Sequence, residues 1–309
     1  MSKFFNETRT VRKIDPTPAT ANVNIQDLVS SLKEHMESNG STASHSSEID
    51  LQHLLQPLQG SNEVASQVVA MRLENCRSIK LPRTEERSFL VSQYNPAMQA
   101  AVEAYRTQRT RLVKQQTRNG ARSLVVTSSA QGEGKSLTVF NLAICYAKIE
   151  NWPVLLVDAD LRTRGLSILA GDPESPGLAE ILEKDCSYQS AVLRTDIPGL
   201  HILPAGETTT SPSELFSSQR WKEFMGWAQE SFRLVLVDSP PALNLADFEL
   251  IAASCESVMV IARARKTPRE SLAKVLAQVD PRKITGVVFN AAEETPENGY
   301  YRYAAKAGA

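Results

Sequence analysis

The sequence predicts an α/β fold: a mainly parallel sheet with helices on both faces, preceded by a polar, partly disordered N-terminal extension. Three observations predict it. Short apolar runs rich in Val, Ile and Leu recur between Leu124 and Phe289, and their continuity requires that both faces of their sheet be covered. Segments with helical spacing separate these runs, the alternation that builds parallel sheets through crossover helices. One run, Leu124–Val126, leads into SSAQGEGKSLT (Ser128–Thr138), a glycine-rich turn that opens a helix marked by Leu137, Phe140, Ile144 and Ala147.

At 309 residues the chain accommodates one large α/β domain and an extension. Hydrophobic residues make up 42% and charged residues 22%, as in soluble globular proteins. A net charge of -1 gives no overall attraction to nucleic acid, and no nucleic-acid partner is expected. No apolar run approaches the roughly 18–20 residues of a membrane span, and Met1–Arg12 lacks a signal-peptide core, so the expected location is cytoplasmic. Cys76, Cys145, Cys186 and Cys255 lie far apart and without metal-ligand spacing, which predicts reduced thiols.

Residues 1–90 form the expected extension. The first 23 are polar and proline-punctuated; Ile25, Leu28, Val29, Leu32 and Met36 then mark a short amphipathic helix. Ser38–Ser47 has linker composition, and the apolar positions of 48–90 show no period. The domain proper is expected over 91–291, with a flexible tail over 292–309. Asn95-Pro96 is a cap and first-turn pair, followed by Met98, Val102, Tyr105 and Leu112 on one helical face. Glu103, Arg106 and Arg109, spaced by three, share a stripe of that helix. Alone they read as a solvated face with an ion pair worth about a few tenths of a kcal/mol. Arg111, Lys114, Arg118 and Arg122 continue a basic bias that suits phosphate, acidic lipid, an acidic partner or plain solvent. Strands are expected at Val154–Val157, Leu200–Leu203, Leu234–Val237, Val258–Ala262 and Gly286–Phe289, and helices near Gly177–Leu182, Gln219–Gln229 and Arg269–Ala277.

Strand, glycine-rich turn, Lys-Ser and helix form a phosphate-binding loop. Gly132 and Gly134 tolerate backbone angles that turn amides inward, and the helix N-terminus adds its positive end. Lys135 can reach the terminal phosphates, and the Ser136 hydroxyl can bind Mg²⁺. After Val154–Val157 come Asp158-Ala159-Asp160-Leu161-Arg162. A lone Asp-x-Asp equally suits a turn or a cap. Beside a phosphate loop it suits carboxylates that hold Mg²⁺ through water or accept a nucleophile's proton. Leu234–Val237 ends in Asp238-Ser239-Pro240-Pro241, where the aspartate arranges the magnesium shell. The sheet is therefore of the P-loop NTPase type.

From Tyr94 to Tyr303 the sequence resembles the bacterial protein-tyrosine kinases of capsule and exopolysaccharide export. The resemblance rests on EAYRTQRTRL (Glu103–Leu112), SSAQGEGKS, VDADLR (Val157–Arg162) and LVDSPP (Leu236–Pro241), followed and interleaved in order by PGLAEIL, ILPAGE, SPSELF and GVVFN. It implies that the loop amides from Gly132 through Glu133, Gly134, Lys135, Ser136 and Leu137 bind the phosphates of ATP. Ser136, Asp158 and Asp238 would hold magnesium. Asp158 would be the base for a tyrosine hydroxyl, Asp160 would support metal or substrate geometry, and Asn290 would reach the adenine. Glu103, Arg106 and Arg109 would form the interface of a ring-like homo-oligomer. An inner-membrane polysaccharide co-polymerase, or chain-length regulator, would recruit the protein to the membrane and activate it in trans. A phosphotyrosine phosphatase would reverse the modification.

The tail supplies the acceptor. Of seven tyrosines, Tyr300, Tyr301 and Tyr303 lie in the last ten residues, behind Glu293, Glu294 and Glu297. Each phosphate there adds roughly -1.5 to -2 charges, enough to favour release from an acidic site. Two other readings compete. In partition and division-site ATPases a second lysine stands early in the loop, and here that position is Ala130. A non-catalytic nucleotide-dependent adaptor would not need Asp158, Asp160 and Asp238 together.

Overall fold

Among the residues described by the computed structural model (73, 76–82 and 99–292, apart from Pro173, Ser175, Lys184, Asp185 and Asn244), eight strands form one sheet. They are β1 (Ser78–Ile79), β2 (Ser123–Ser128), β3 (Val154–Asp158), β4 (Leu193–Thr195), β5 (Leu200–Leu203), β6 (Leu234–Asp238), β7 (Ser257–Arg263) and β8 (Ile284–Asn290). Their spatial order is β1-β4-β5-β3-β6-β2-β7-β8. Only β4 and β5 pair antiparallel. The helices are α1 (Gln99–Asn119), α2 (Lys135–Ala147), α3 (Gly165–Ala170), α4 (Leu178–Glu183), α5 (Tyr188–Ala191), α6 (Pro212–Ser217), α7 (Gln219–Ser231), α8 (Ala246–Ala253) and α9 (Arg269–Gln278).

The central strands are apolar without a break because successive side chains feed two different cores. Leu155, Val157, Val235 and Val237 point into one, which α7 fills with Trp221, Phe224 and Met225. Val154, Leu156, Leu234 and Leu236 point into the other, which α2 fills with Phe140, Leu142, Ile144 and Tyr146. The α/β fold, the mainly parallel sheet and its two helical layers are thus as the sequence predicts. Val102 and Leu112 of α1 are buried on the α2 side.

The sequence signal missed the short marginal strands. β1 lies within the stretch read as an extension, yet it pairs with β4, and Leu73, Cys76 and Leu81 are buried. A strand as brief as Ser78–Ile79 carries no periodicity to detect. The helix expected over Ile25–Met36, the Ser-rich linker, the Asn95-Pro96 cap and the tail from Glu293 onward lie outside the described residues. Among the described residues no helix is long and apolar enough to cross a membrane. All four cysteines are free thiols, three of them buried.

Parallel strands place their carboxyl ends at one edge of the sheet, where ligands of doubly wound folds collect. Register brings Val126 of β2 level with Asp238 of β6, and Asp238 level with Asp158 of β3. The loop after β2 therefore stands beside two aspartates that are distant in sequence.

Candidate active site

The phosphate loop is held from within and from one side. Gly132 (φ 79°) and Gly134 (φ 95°) are both left-handed, the conformation expected of a loop that turns its amides inward. A Cβ on Gly134 would meet the Asn290 side-chain amide, which would have to shift, while the left-handed backbone itself favours glycine. Lys135 and Ser136 begin α2. The Thr138 amide donates to the Gly134 carbonyl (2.9 Å), leaving the amides of the first turn to a ligand.

Glu133 occupies the loop with a buried carboxylate, which accepts from the Ser129 amide (2.8 Å), the Ser129 hydroxyl (2.9 Å), the Ala130 amide (3.1 Å) and the Thr267 hydroxyl. Burial pushes its pKa up, but the hydrogen bonds from Thr267, Ala130 and Ser129 outweigh burial and hold it below the ordinary value. The Asn290 amide donates to the Glu133 carbonyl (3.0 Å), and Arg263 Nη1 donates to the Gly132 carbonyl (3.0 Å). Asn290, expected at the adenine, is seen here as a brace of the loop.

Asp158 and Asp238 are both fully buried, with contrasting surroundings. Asp158 Oδ2 accepts from the Ser167 amide (2.8 Å) and hydroxyl (2.7 Å), and Oδ1 accepts from the Asp160 amide (3.2 Å). Burial pushes its pKa up to about 6 despite the Ser167 hydrogen bonds, with Asp160 adding to the rise. Neither Asp238 oxygen has a hydrogen-bond partner. Burial and the neighbouring Asp158 drive its pKa well above the usual carboxylate range; nearby Ser136 and Lys135 oppose the rise without reaching hydrogen-bond geometry. A buried carboxyl with two unpartnered oxygens is costly unless something absent from the chain itself satisfies it. A cation beside the Ser136 hydroxyl would do so, and the donor set of one hydroxyl and one carboxylate suits magnesium, which keeps several waters and takes phosphate oxygens rather than filling an all-protein cage.

Residues 121–285 match the AAA domain family. Tyrosine-protein kinase YwqD of Bacillus subtilis is 32% identical over 203 residues, covering 64% of this chain and 85% of YwqD. The chain belongs to the bacterial tyrosine-protein kinases. Tyrosine-protein kinase Wzc of Salmonella typhimurium is 29% identical over 74% of this chain, though over only 32% of its own length. The chain spans 25% to 32% of the longer curated relatives it matches. Among solved structures, the kinase domain of Escherichia coli tyrosine kinase ETK shares the fold with a TM-score of 0.61 and 25% identity, covering 74% of this chain and 89% of that one.

Of the residues expected to carry chemistry, Lys135, Ser136, Asp158 and Asp238 meet at the strand ends. Asp160 is buried beside them, where its Oδ1 accepts from the Thr163 amide (3.2 Å) and closes a turn. On α1, Glu103 and Arg106 form an ion pair with each other, while Arg109 turns inward and Nη1 donates to the Cys145 carbonyl near the end of α2 (3.1 Å). Tyr300, Tyr301 and Tyr303 lie outside the described residues. Sequence reasoning missed Ser167, which holds Asp158, and Asp247. The buried Asp247 carboxylate takes Arg162 Nε (2.8 Å) across 85 positions of chain. Only the arginine of VDADLR gave a signal, and nothing in the sequence named its partner.

Proposed function

We propose that this chain is an ATP- and Mg²⁺-dependent protein-tyrosine autokinase that regulates polymerisation and export of an extracellular polysaccharide. The observation that carries the reading is the buried Asp158 carboxyl, fixed by Ser167, standing level with Asp238 at the mouth of the phosphate loop. Family membership supplies the acceptor class.

The loop amides and Lys135 bind and orient the phosphates, and the buried surroundings strengthen each charge interaction. Magnesium, held by Ser136 and Asp238, would neutralise charge on the phosphate oxygens. A tyrosine hydroxyl, with a pKa near ~10, is protonated at neutral pH. As its oxygen bonds to the γ-phosphorus and the bond to ADP breaks, Asp158 takes the phenolic proton and later releases it to water. Ser167 holds the carboxylate in place for this.

The acceptors are Tyr300, Tyr301 and Tyr303 of a neighbouring copy, reached in trans within a ring-like oligomer. Residues 91–291 act as the kinase domain, which β1 of the preceding stretch joins, 292–309 as the acceptor tail, and the rest of 1–90 as an extension in which the stretch Ile25–Met36 is a candidate docking segment. That partner is a polysaccharide co-polymerase of the inner membrane, which brings the cytoplasmic kinase to the membrane face and activates it; a phosphatase resets the tail. Incubation with ATP and Mg²⁺ followed by mass spectrometry should find phosphotyrosine in the tail, and Phe at all three positions should remove most of it. Co-polymerase should raise the rate. ATP turnover with no phosphotyrosine, even with that partner present, would favour an ATPase or adaptor.

Arg106 is exposed and paired within its own helix, while Arg109 serves the fold. Arg106→Glu therefore tests the ring more cleanly than any change at Arg109. Sedimentation should shift toward monomer with thermal stability retained, and an unchanged profile would sink the interface assignment.

A further inference from the structure

We infer that Thr267 is a positioning residue for the phosphate loop, acting through the buried carboxylate of Glu133 and setting affinity for the nucleoside triphosphate. The inference rests on the kinase reading of the loop as an ATP site.

Glu133 poses a physical problem. A phosphate cradle that contains a buried anion repels its ligand unless that charge is fully engaged elsewhere. Here the Ser129 amide and hydroxyl and the Ala130 amide, all from within the loop, are spent on Glu133, and the donor from outside the loop is the hydroxyl of Thr267, which comes from the turn between β7 and α9. The direction of that hydroxyl is fixed. It accepts from the Arg263 amide (2.8 Å), a group that can only donate, so its own proton must point to Glu133. The Thr267 amide closes the turn on the Arg263 carbonyl (2.9 Å), and the Arg263 guanidinium returns to the Gly132 carbonyl (3.0 Å). The same turn is locked to β8 by the Ala264 amide on the Asn290 carbonyl (2.9 Å), and the Asn290 side chain holds Glu133 from the other side (3.0 Å). Among the described residues, the hydrogen bond to Glu133 is the one Thr267 makes to a residue expected to contact phosphate. Its hydroxyl both engages that ionised carboxylate by hydrogen bonding and fixes the loop's outer wall.

Thr267→Val keeps the branched shape and removes only the hydroxyl. It should weaken binding of a fluorescent ATP analogue with Mg²⁺ about tenfold and raise KM for ATP in parallel, with kcat at saturating ATP within about threefold of wild type. Thr267→Ser should restore affinity to within about twofold. In a Glu133→Ala background, Thr267→Val should have no further effect on affinity beyond about twofold, because its partner is gone. Thr267→Val that binds as tightly as wild type, Thr267→Ser that stays as weak as Thr267→Val, or an undiminished Thr267 effect without Glu133 would each overturn the inference alone. Wild-type protein that binds no nucleotide would instead overturn the kinase reading, and this inference with it.

Discussion

Lys135→Met is expected to lower the initial rate of tyrosine phosphorylation by about a thousandfold or more, in a protein that still folds. The magnitude follows from where the charge sits. Lys135 is almost fully buried at the first position of α2, behind a left-handed Gly134, so its ammonium acts in a site with little water to screen it. Removing one fixed cation from a phosphoryl-transfer site costs on the order of 10³-fold in rate. Methionine keeps the length and apolar stem, so the packing of α2 against β2 and β3 persists. Asp238 would lose the ammonium that opposes its raised pKa, and a buried carboxyl in that position protonates rather than unfolding the chain. Initial rates from labelled ATP, with circular dichroism on the same sample, check both halves. Retention of a tenth of wild-type activity would remove Lys135 from the catalytic set.

How much of this was legible depends on whether the chemistry is local. Strand, turn and helix of the phosphate loop are contiguous, so glycine spacing and Lys135-Ser136 suffice to find them. Asp158 and Asp238 each end an apolar run, and parallel strands bring run-ends together whatever the crossovers between them. The partners that tune those residues were not legible. Ser167 reaches Asp158 through α3, a helix of six residues whose start is set by a left-handed Arg164 (φ 51°) rather than by a side-chain cap. Asp247 meets Arg162, and Thr267 meets Glu133, over 85 and 134 positions of chain, contacts that only the folded sheet order fixes. Arg109 illustrates the converse. Its spacing places it on the Glu103–Arg106 stripe, yet a helix neighbour draws it inward to the Cys145 carbonyl.

Asp158→Asn should cost about 10²- to 10⁴-fold in kcat, the range for loss of a positioned general base, and should leave nucleotide affinity nearly unchanged because Asp238 and Ser136 remain. Its pH signatures separate a base from a bystander. Asp158 must be ionised to accept the phenolic proton, so the wild-type rate should rise with pH through a value at or below about 6, since bound magnesium favours the ionised form. That limb should vanish in Asp158→Asn. Stability of the nucleotide-free protein moves the other way. A carboxyl whose folded pKa is raised from 3.8 to about 6 contributes stability that is full below the lower value and lost as pH rises through the upper. The loss amounts to about 2–3 kcal/mol, at 1.36 kcal/mol per pKa unit. Buried His201 has the opposite sign: burial lowers its pKa from 6.5 to about 4, so its contribution is present above 6.5 and lost as pH falls. The two nearly cancel in wild type, and a flat profile there would mean little. Subtracting the wild-type denaturant curve from that of Asp158→Asn removes His201, and the variant's relative stability should then climb as pH rises from about 4, because loss of Asp158 also relieves the neighbouring Asp238 and both effects have the same sign. A difference independent of pH would show that Asp158 is not held protonated by its surroundings, and its assignment as the tuned base would fail on the same data.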